Sequence, residues 1–410
     1  MAMIQPFKAL RPQPQLAKQV ASQPYDVLSS TEAKQVAAGN PASFLHVTKS
    51  EIDLAESVDI HDAAVYEQAK ENITAFIKRD VLFRESKDCY YIYQLIMHGR
   101  AQSGLVCVSS VDDYENDIIK KHEFTRPEKE LDRINHIKTS GAQTGNVFLA
   151  YRNNESLDAL IENWKKTKTA VYDFVADDQI QHTIWVVNDT STIDNITAIF
   201  NNEIPCTYIA DGHHRAASAA KVRAALGANA TKNADYFLTT LFPSNQLYIM
   251  DYNRVVKDLN GLTPAAFMEA VAVKFNIEQL HKEPFKPAAL HELGMYINGC
   301  WYKLTAKAGT YTEDPIGVLD VTILSESILA PILNIVDLRK DKRIEFVGGL
   351  RGLGELKRRV DSGEMKAAFA LYPVTMKQLI DIADNGLIMP PKVTWFEPKL
   401  RSGLVINKIK

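Results

Sequence analysis

Asp211-Gly212-His213-His214-Arg215 stands between a short apolar run, Tyr208-Ile209-Ala210, and an alanine-rich stretch, Ala216-Ala217-Ser218-Ala219-Ala220. This order places a carboxylate, a glycine, two imidazoles and a guanidinium at the start of a helix. The first turn of a helix carries N–H groups without intrahelical partners and the positive end of the helix dipole, so an anion is stabilised there before any side chain contributes. Gly212 lets the backbone approach a ligand, and Arg215 offers a fork of donors matched to phosphate oxygens. Asp211 has the character of a magnesium ligand, a lone carboxylate completed by water. An aspartate N-cap followed by surface histidines is the plainer account of the same residues. Four polar side chains and a glycine converging on one turn favour phosphate or nucleotide binding.

His122-Glu123 forms a second candidate, after a short apolar run and before Thr125 and Pro127. A carboxylate beside an imidazole, near a phosphate site, is what orienting and deprotonating an attacking hydroxyl requires. Glu123 is the candidate base; an exposed turn among Lys120, Lys121 and Arg126 is the alternative. Arg126 and Arg133 lie seven residues apart, about two helical turns, so they share a face and either bind substrate or phosphate or are solvated. The third candidate is the rigid strip Met389-Pro390-Pro391-Lys392-Val393-Thr394 and its continuation to Gly403. Prolines stiffen it, and Lys392 and Thr394 fall on one side of an extended chain, where they can meet a carboxylate or phosphoryl group. Gly348-Gly349-Leu350-Arg351-Gly352-Leu353-Gly354 lacks the strand and acidic residue that a dinucleotide fingerprint needs, and is set aside.

The elements that must position these residues are legible as punctuation and period. Helices are expected at 31–39, 61–79, 126–138, 213–226, 264–275 and 375–384, with Gly227 and Gly386 as stops. Runs of strand type occur at 90–97 and 104–111, forming a hairpin, and at 146–151, 169–174, 183–187, 205–209, 237–242, 247–251, 300–305 and 367–372. Residues 320–336 carry apolar side chains at helical intervals. Hairpin signals outnumber parallel units, so the expected class is α+β with a mixed sheet rather than a doubly wound one.

At 410 residues the chain exceeds the size at which one core stops growing. Three regions are expected: an N-terminal α/β region at 1–100, a catalytic core at 101–260 and a C-terminal α/β substrate-loop region at 261–410. Lys plus Arg is 47 against 50 Asp plus Glu, a formal net charge of −3, which is no footprint for nucleic-acid or membrane binding. Cys89, Cys107, Cys206 and Cys300 are scattered without a Cys-x-x-Cys pair, so neither a zinc site nor a disulfide framework is suggested. With no apolar run near the ~20 residues that span a bilayer and no signal-peptide core, the chain reads as cytoplasmic.

Pro24-Tyr25-Asp26-Val27, Asn40-Pro41, His122-Glu123-x-Thr125, Asp132-Arg133, Asp211 to Arg215, Asp361-Ser362-Gly363-Glu364 and Pro390-Pro391-Lys392-x-Thr394 through Ser402-Gly403-Leu404 together resemble, nearly end to end, domain-of-unknown-function family 1015. The order His-Glu, Asp-Gly-His-His-Arg, Pro-Lys-x-Thr also resembles the free-serine kinases, which share the fold of ParB and sulfiredoxin. That resemblance implies a ParB/sulfiredoxin-like mixed sheet with a nucleotide-binding helix. It implies a magnesium- and nucleotide-dependent phosphotransferase, using ATP or ADP, that acts on a small hydroxylated metabolite such as a free amino acid. Carried over, Glu123 with His122 is catalytic, and Gly212, His213, His214 and Arg215 hold the nucleotide phosphates. Asp211 becomes metal and substrate ligand, and Lys392 and Thr394 contact substrate; Arg126 and Arg133 are the further substrate candidates by their shared helical face. The 88 residues from Glu123 to Asp211 imply an insertion, and Trp395-Phe396 replaces a second polar ligand of the kinases. A non-catalytic ParB-like nucleotide-binding regulator and a nucleotide hydrolase are the alternatives. The expected partners are a nucleotide and a small-molecule substrate, with a homodimer admitted, no membrane and no nucleic acid.

Overall fold

Residues 236–243, Tyr-Phe-Leu-Thr-Thr-Leu-Phe-Pro, are buried along almost their whole length, which suits a central strand with neighbours on both sides. In the computed structural model, which describes residues 1–410, this strand pairs antiparallel with Arg100–Ser110 and parallel with Val147–Tyr151. The nine-stranded sheet runs in the order 119–120, 207–211, 147–151, 236–243, 100–110, 90–97, 181–187, 172–175, with 4–5 on the free part of 100–110. Only two of its pairings are parallel, 207–211 with 119–120 and 236–243 with 147–151. The sheet is therefore mixed, as the α+β reading expects, and the hairpin of Tyr90–Met97 with Arg100–Ser110 is present.

Two helices lie beside the candidate site, the second of them against this sheet. Pro127–Ser140 begins with Pro127 in its first turn, where the missing N–H costs nothing, and stops at left-handed Gly141. His213–Leu226 ends at Gly227 and buries Ala216, Ala219 and Ala220 in the main apolar core, where small side chains let the helix lie close to the strands. On its other flank Val222 joins Ile137 and Ile409, and the Ser218 hydroxyl donates to the Glu130 carbonyl at 3.2 Å.

The chain divides into two units, residues 1–247 with 398–410, and residues 248–397. These boundaries differ from the expected ones near 100 and 260. A break at 100 would split a hairpin and strip Ile4–Gln5 from its partner strand, so residues 1–100 belong to the same unit as the large sheet. The second unit holds a six-stranded antiparallel sheet in the order 275–281, 300–306, 292–297, 367–371, 252–256, 344–348. The strand expected at 247–251 lies instead at Tyr252–Val256, because a 3-10 turn at Ser244–Gln246 is followed by irregular chain with one bridge from Ile249 to Phe396. A strand does precede the glycine-rich run, at Ile344–Gly348, and a helix, Gly352–Asp361, follows it. Close packing accounts for two of those glycines: a Cβ on Gly348 would lie 3.1 Å from the Trp395 ring and one on Gly349 2.5 Å from the Asp251 carboxylate. No helix is long and apolar enough to cross a membrane.

Candidate functional site

The strand Thr207–Asp211 carries a register irregularity between Ile209 and Asp211, against Leu149 and Phe148 of its neighbour. Such a bulge re-aims the side chain that follows it. Gly212 then takes φ +104°, a left-handed value that glycine alone adopts without strain, and the helix starts at His213 with no side-chain cap. A Cβ at Gly212 would sit 3.2 Å from the Arg215 guanidinium carbon and 3.4 Å from the Val147 Cα, so the glycine also makes room for Arg215 to fold back over the turn. Arg215 Nη1 donates to the Asn146 carbonyl and Nη2 lies 3.4 Å from Asp211 Oδ1.

Residues 122–126 run alongside this first turn. The His122 N–H donates to His213 Nε2 at 3.5 Å, and the Arg126 N–H donates to His214 Nε2 at 3.0 Å. Glu123 lies between these two anchors and is half-buried. Both Nε2 atoms accept, so each imidazole is neutral with its proton on Nδ1, and what they hold is the 122–126 backbone. The His122 and His213 rings pack edge to face with centroids 4.5 Å apart, His122 being 1% exposed and His213 5%. Neither ring nitrogen of His122 has a hydrogen-bond partner.

Burial, opposed by the Asp211 charge, brings His122 down to about 4, and burial together with the neighbouring His122 holds His213 well below the ordinary imidazole value. A histidine with a depressed folded pKa contributes stability above its unfolded pKa of about 6.5 and loses it as pH falls toward the folded value. For His122 the window runs from about 6.5 to about 4, and the loss at pH 5 is about 2 kcal/mol. We expect urea midpoints of the wild type to fall between pH 7.5 and 5, and the fall to shrink by that amount in His122→Phe; an unchanged pH dependence would refute a neutral buried His122.

Arg133 is brought to the same region. Its guanidinium lies 3.9 Å from the centre of the Tyr25 ring and is held by Asp132 at 2.7 and 2.9 Å, while Asp132 also accepts from Tyr66 at 3.1 Å. A small cavity of about 30 Å³ opens among Tyr25, Arg133, Gln143, Thr144, Arg215 and Ser402, so Arg133 and Arg215 share one wall. Burial, offset in part by the charge of Arg133, pushes the Tyr25 hydroxyl up to about 12, so it stays protonated and able to donate. The Arg126 side chain is exposed and only its backbone is fixed to the site.

The expectation of magnesium on Asp211 meets a different donor set. Burial alone would raise the Asp211 carboxyl, but Lys399 and Arg215 outweigh it and hold the group well below the carboxylate range. Lys399 Nζ lies 3.2 Å from Oδ2 and Arg215 Nη2 lies 3.4 Å from Oδ1, so both oxygens already face a cation. No group of three or more His, Cys, Asp or Glu side chains comes together in metal-binding fashion. These residues do not fit a metal ion on Asp211. They do fit an anion: two cations against one carboxylate, beside an uncapped helix start and a left-handed glycine.

Lys392 and Thr394 fall in the second unit. Lys392 is exposed with a left-handed φ of 61°, its carbonyl accepts from Arg254 at 2.8 Å, and Thr394 is half-buried. The residues that sequence reasoning left out of the site are Lys399, Asn146 and Tyr25. Lys399 stood in the C-terminal strip and Tyr25 in the Pro-Tyr-Asp motif, but nothing local to either segment marks it as a neighbour of residues 211–215.

The chain belongs to the family described as Protein of unknown function (DUF1015), whose model matches residues 4–322. No curated protein matches the sequence. Among solved structures, a conserved hypothetical protein from Pyrococcus furiosus is similar at 14% identity and a TM-score of 0.36, covering 74% of this chain and 94% of that one. A free serine kinase in complex with AMP is similar at 12% identity and a TM-score of 0.34, covering 73% and 91%. A C-terminally truncated SbnI from Staphylococcus aureus is similar at 11% identity and a TM-score of 0.39, covering 72% and 85%.

Proposed function

We propose that this protein is a nucleotide-dependent phosphotransferase acting on a small hydroxylated metabolite, with the ParB/sulfiredoxin-like core that its motifs suggest. The observation that carries the reading is the pair of backbone-to-imidazole hydrogen bonds that lay residues 122–126 along the first turn of the 213–226 helix. Glu123 is thereby fixed within one short segment of the turn where an anion is stabilised. A bound nucleotide supplies the phosphoryl group. The first-turn N–H groups and Arg215 hold its oxygens and stabilise the charge that spreads over them during transfer. Glu123 takes the proton of the acceptor hydroxyl as the new phosphorus–oxygen bond forms and the bond to the leaving nucleotide breaks. Arg133 and Tyr25, on the wall shared with Arg215, contact the acceptor. His213 and His214 act through the backbone they hold, which gives them a positioning role.

The test is direct. Purified protein is incubated with ATP or ADP and a pool of small hydroxylated metabolites and followed by phosphorus NMR. A new phosphoester resonance is expected. Free phosphate alone would make the protein a hydrolase, and an unchanged spectrum with tight nucleotide binding would make it a regulator.

A further inference from the structure

We propose that Lys399 is a phosphate-binding residue, presented together with Arg215 by the Asp211 carboxylate, and that this two-cation clamp takes the place of a metal ion on Asp211. The proposal rests on the reading of the 211–215 turn as a phosphate site and names the residue that completes it. Lys399 lies 188 positions from Asp211 in the chain. What brings it there is the C-terminal strap 398–410, which is fastened from Arg401 onward. The Arg401 N–H donates to the Tyr93 hydroxyl at 3.2 Å, and the Arg401 side chain is bound by Asp178 and His182. Ser22 and Ser402 exchange two backbone hydrogen bonds at 3.1 and 2.8 Å, and Ile406 donates to Leu10 at 2.9 Å. Gly403 lies so close to Phe44 that a Cβ there would sit 2.7 Å from its side chain. The Lys399 backbone is therefore held from its C-terminal side, beginning two residues further on at Arg401.

The geometry of the clamp suits a visiting anion. Lysine has three donors and arginine five, and the contacts of 3.2 and 3.4 Å to Asp211 are loose enough to be exchanged for shorter bonds to phosphate oxygens. The lysine side chain keeps 19% of its surface open, so an anion can reach it. With one carboxylate between two cations the clamp retains a net positive charge, which a phosphate neutralises and a divalent cation would oppose. A second, independent sign of a ligand lies a residue away: His122 is almost fully buried against His213, and both of its ring nitrogens are unpartnered. Buried polar groups are ordinarily bonded, and His122 departs from that rule beside the first turn of the 213–226 helix.

The experiment is calorimetric binding of ADP and of inorganic pyrophosphate, in EDTA and then in magnesium, to the wild type and to Lys399→Met and Lys399→Arg. The expected result is metal-free binding of both probes, weakened tenfold to a hundredfold in Lys399→Met and restored to within about threefold in Lys399→Arg, with the salt dependence flattened only in the methionine variant. Equal affinity in wild type and Lys399→Met overturns the clamp while leaving the nucleotide reading standing if ADP binds. Pyrophosphate binding that depends on Lys399 without any preference for ADP keeps the clamp and removes the nucleotide reading. Binding that appears only with magnesium and is lost in Asp211→Asn but not in Lys399→Met returns Asp211 to the role of metal ligand and overturns the clamp. Absence of binding by either probe removes both ideas. Should Lys399→Met fail to fold, acetylation footprinting of the wild type decides: pyrophosphate is expected to slow modification of Lys399 about fivefold, and an unchanged rate overturns the proposal.

Discussion

Glu123→Gln is expected to lower the rate of phosphoryl transfer by about 10³-fold and to leave nucleotide affinity within about twofold, because a positioned general base contributes roughly 10²–10⁴ to such a step. The substitution keeps the size and the half-buried setting of the side chain and removes its charge and with it its capacity to take a proton. Its backbone is anchored on both sides, by the His122 N–H on His213 and the Arg126 N–H on His214, so the loop has no cause to move. The check is single-turnover transfer measured beside calorimetric nucleotide binding. A variant that lost affinity and kept turnover would make Glu123 a binding residue and would leave the mechanism without a base. His214→Ala is the companion control: it should impair transfer by releasing the segment, and the Gln variant should not mimic its effect on protease sensitivity.

Local signals made parts of this architecture legible. The 213–226 helix is bounded by Gly212 and Gly227, and both boundaries follow from backbone conformations that glycine alone accepts without strain. The helix expected at 126–138 was legible from the helical spacing of Leu131, Ile134 and Ile137, and it runs from Pro127 to Ser140. The hairpin at 90–110 followed from two β-rich runs and a Gly-containing turn. Where apolar content was the only signal, placement slipped: Leu247 and Ile249 are buried as expected of a strand, yet the paired strand begins at Tyr252. Hydrophobicity reports burial, and only pairing partners fix which buried residues form a ladder.

Residue types likewise outran residue partnerships at the site. Asp211 has the chemistry of a magnesium ligand when read alone, and a lysine from the C-terminal strap facing one oxygen with Arg215 facing the other changes what that carboxylate can do. Tyr25 stood only in the Pro-Tyr-Asp-Val motif and lies against Arg133, because helix 127–140 and the N-terminal segment meet only in the folded chain. The segment 122–126 and the turn at 211–215 were proposed to share a cleft on chemical grounds, and the hydrogen bonds that join them run from backbone to imidazole, a pairing no spacing rule encodes.

Arg215→Ala is expected to weaken nucleotide binding by about 10²-fold and to cost about 2–4 kcal/mol of stability, since a buried, hydrogen-bonded charge is removed and its partners are left behind. Three groups lose their contact at once: the Asn146 carbonyl, Asp211 Oδ1 and the cavity wall shared with Arg133 and Tyr25. The two effects separate by substitution. Arg215→Lys keeps the charge against Asp211 but cannot fork onto both the carboxylate and the carbonyl, so it should recover most of the stability and only part of the affinity. Chemical denaturation and calorimetry on the same samples give both quantities. If Arg215→Ala bound nucleotide as tightly as the wild type at a pH and temperature where it is folded, Arg215 would be a structural brace between Asp211 and Asn146. The anion site at the start of the 213–226 helix would then rest on backbone N–H groups and Lys399 alone.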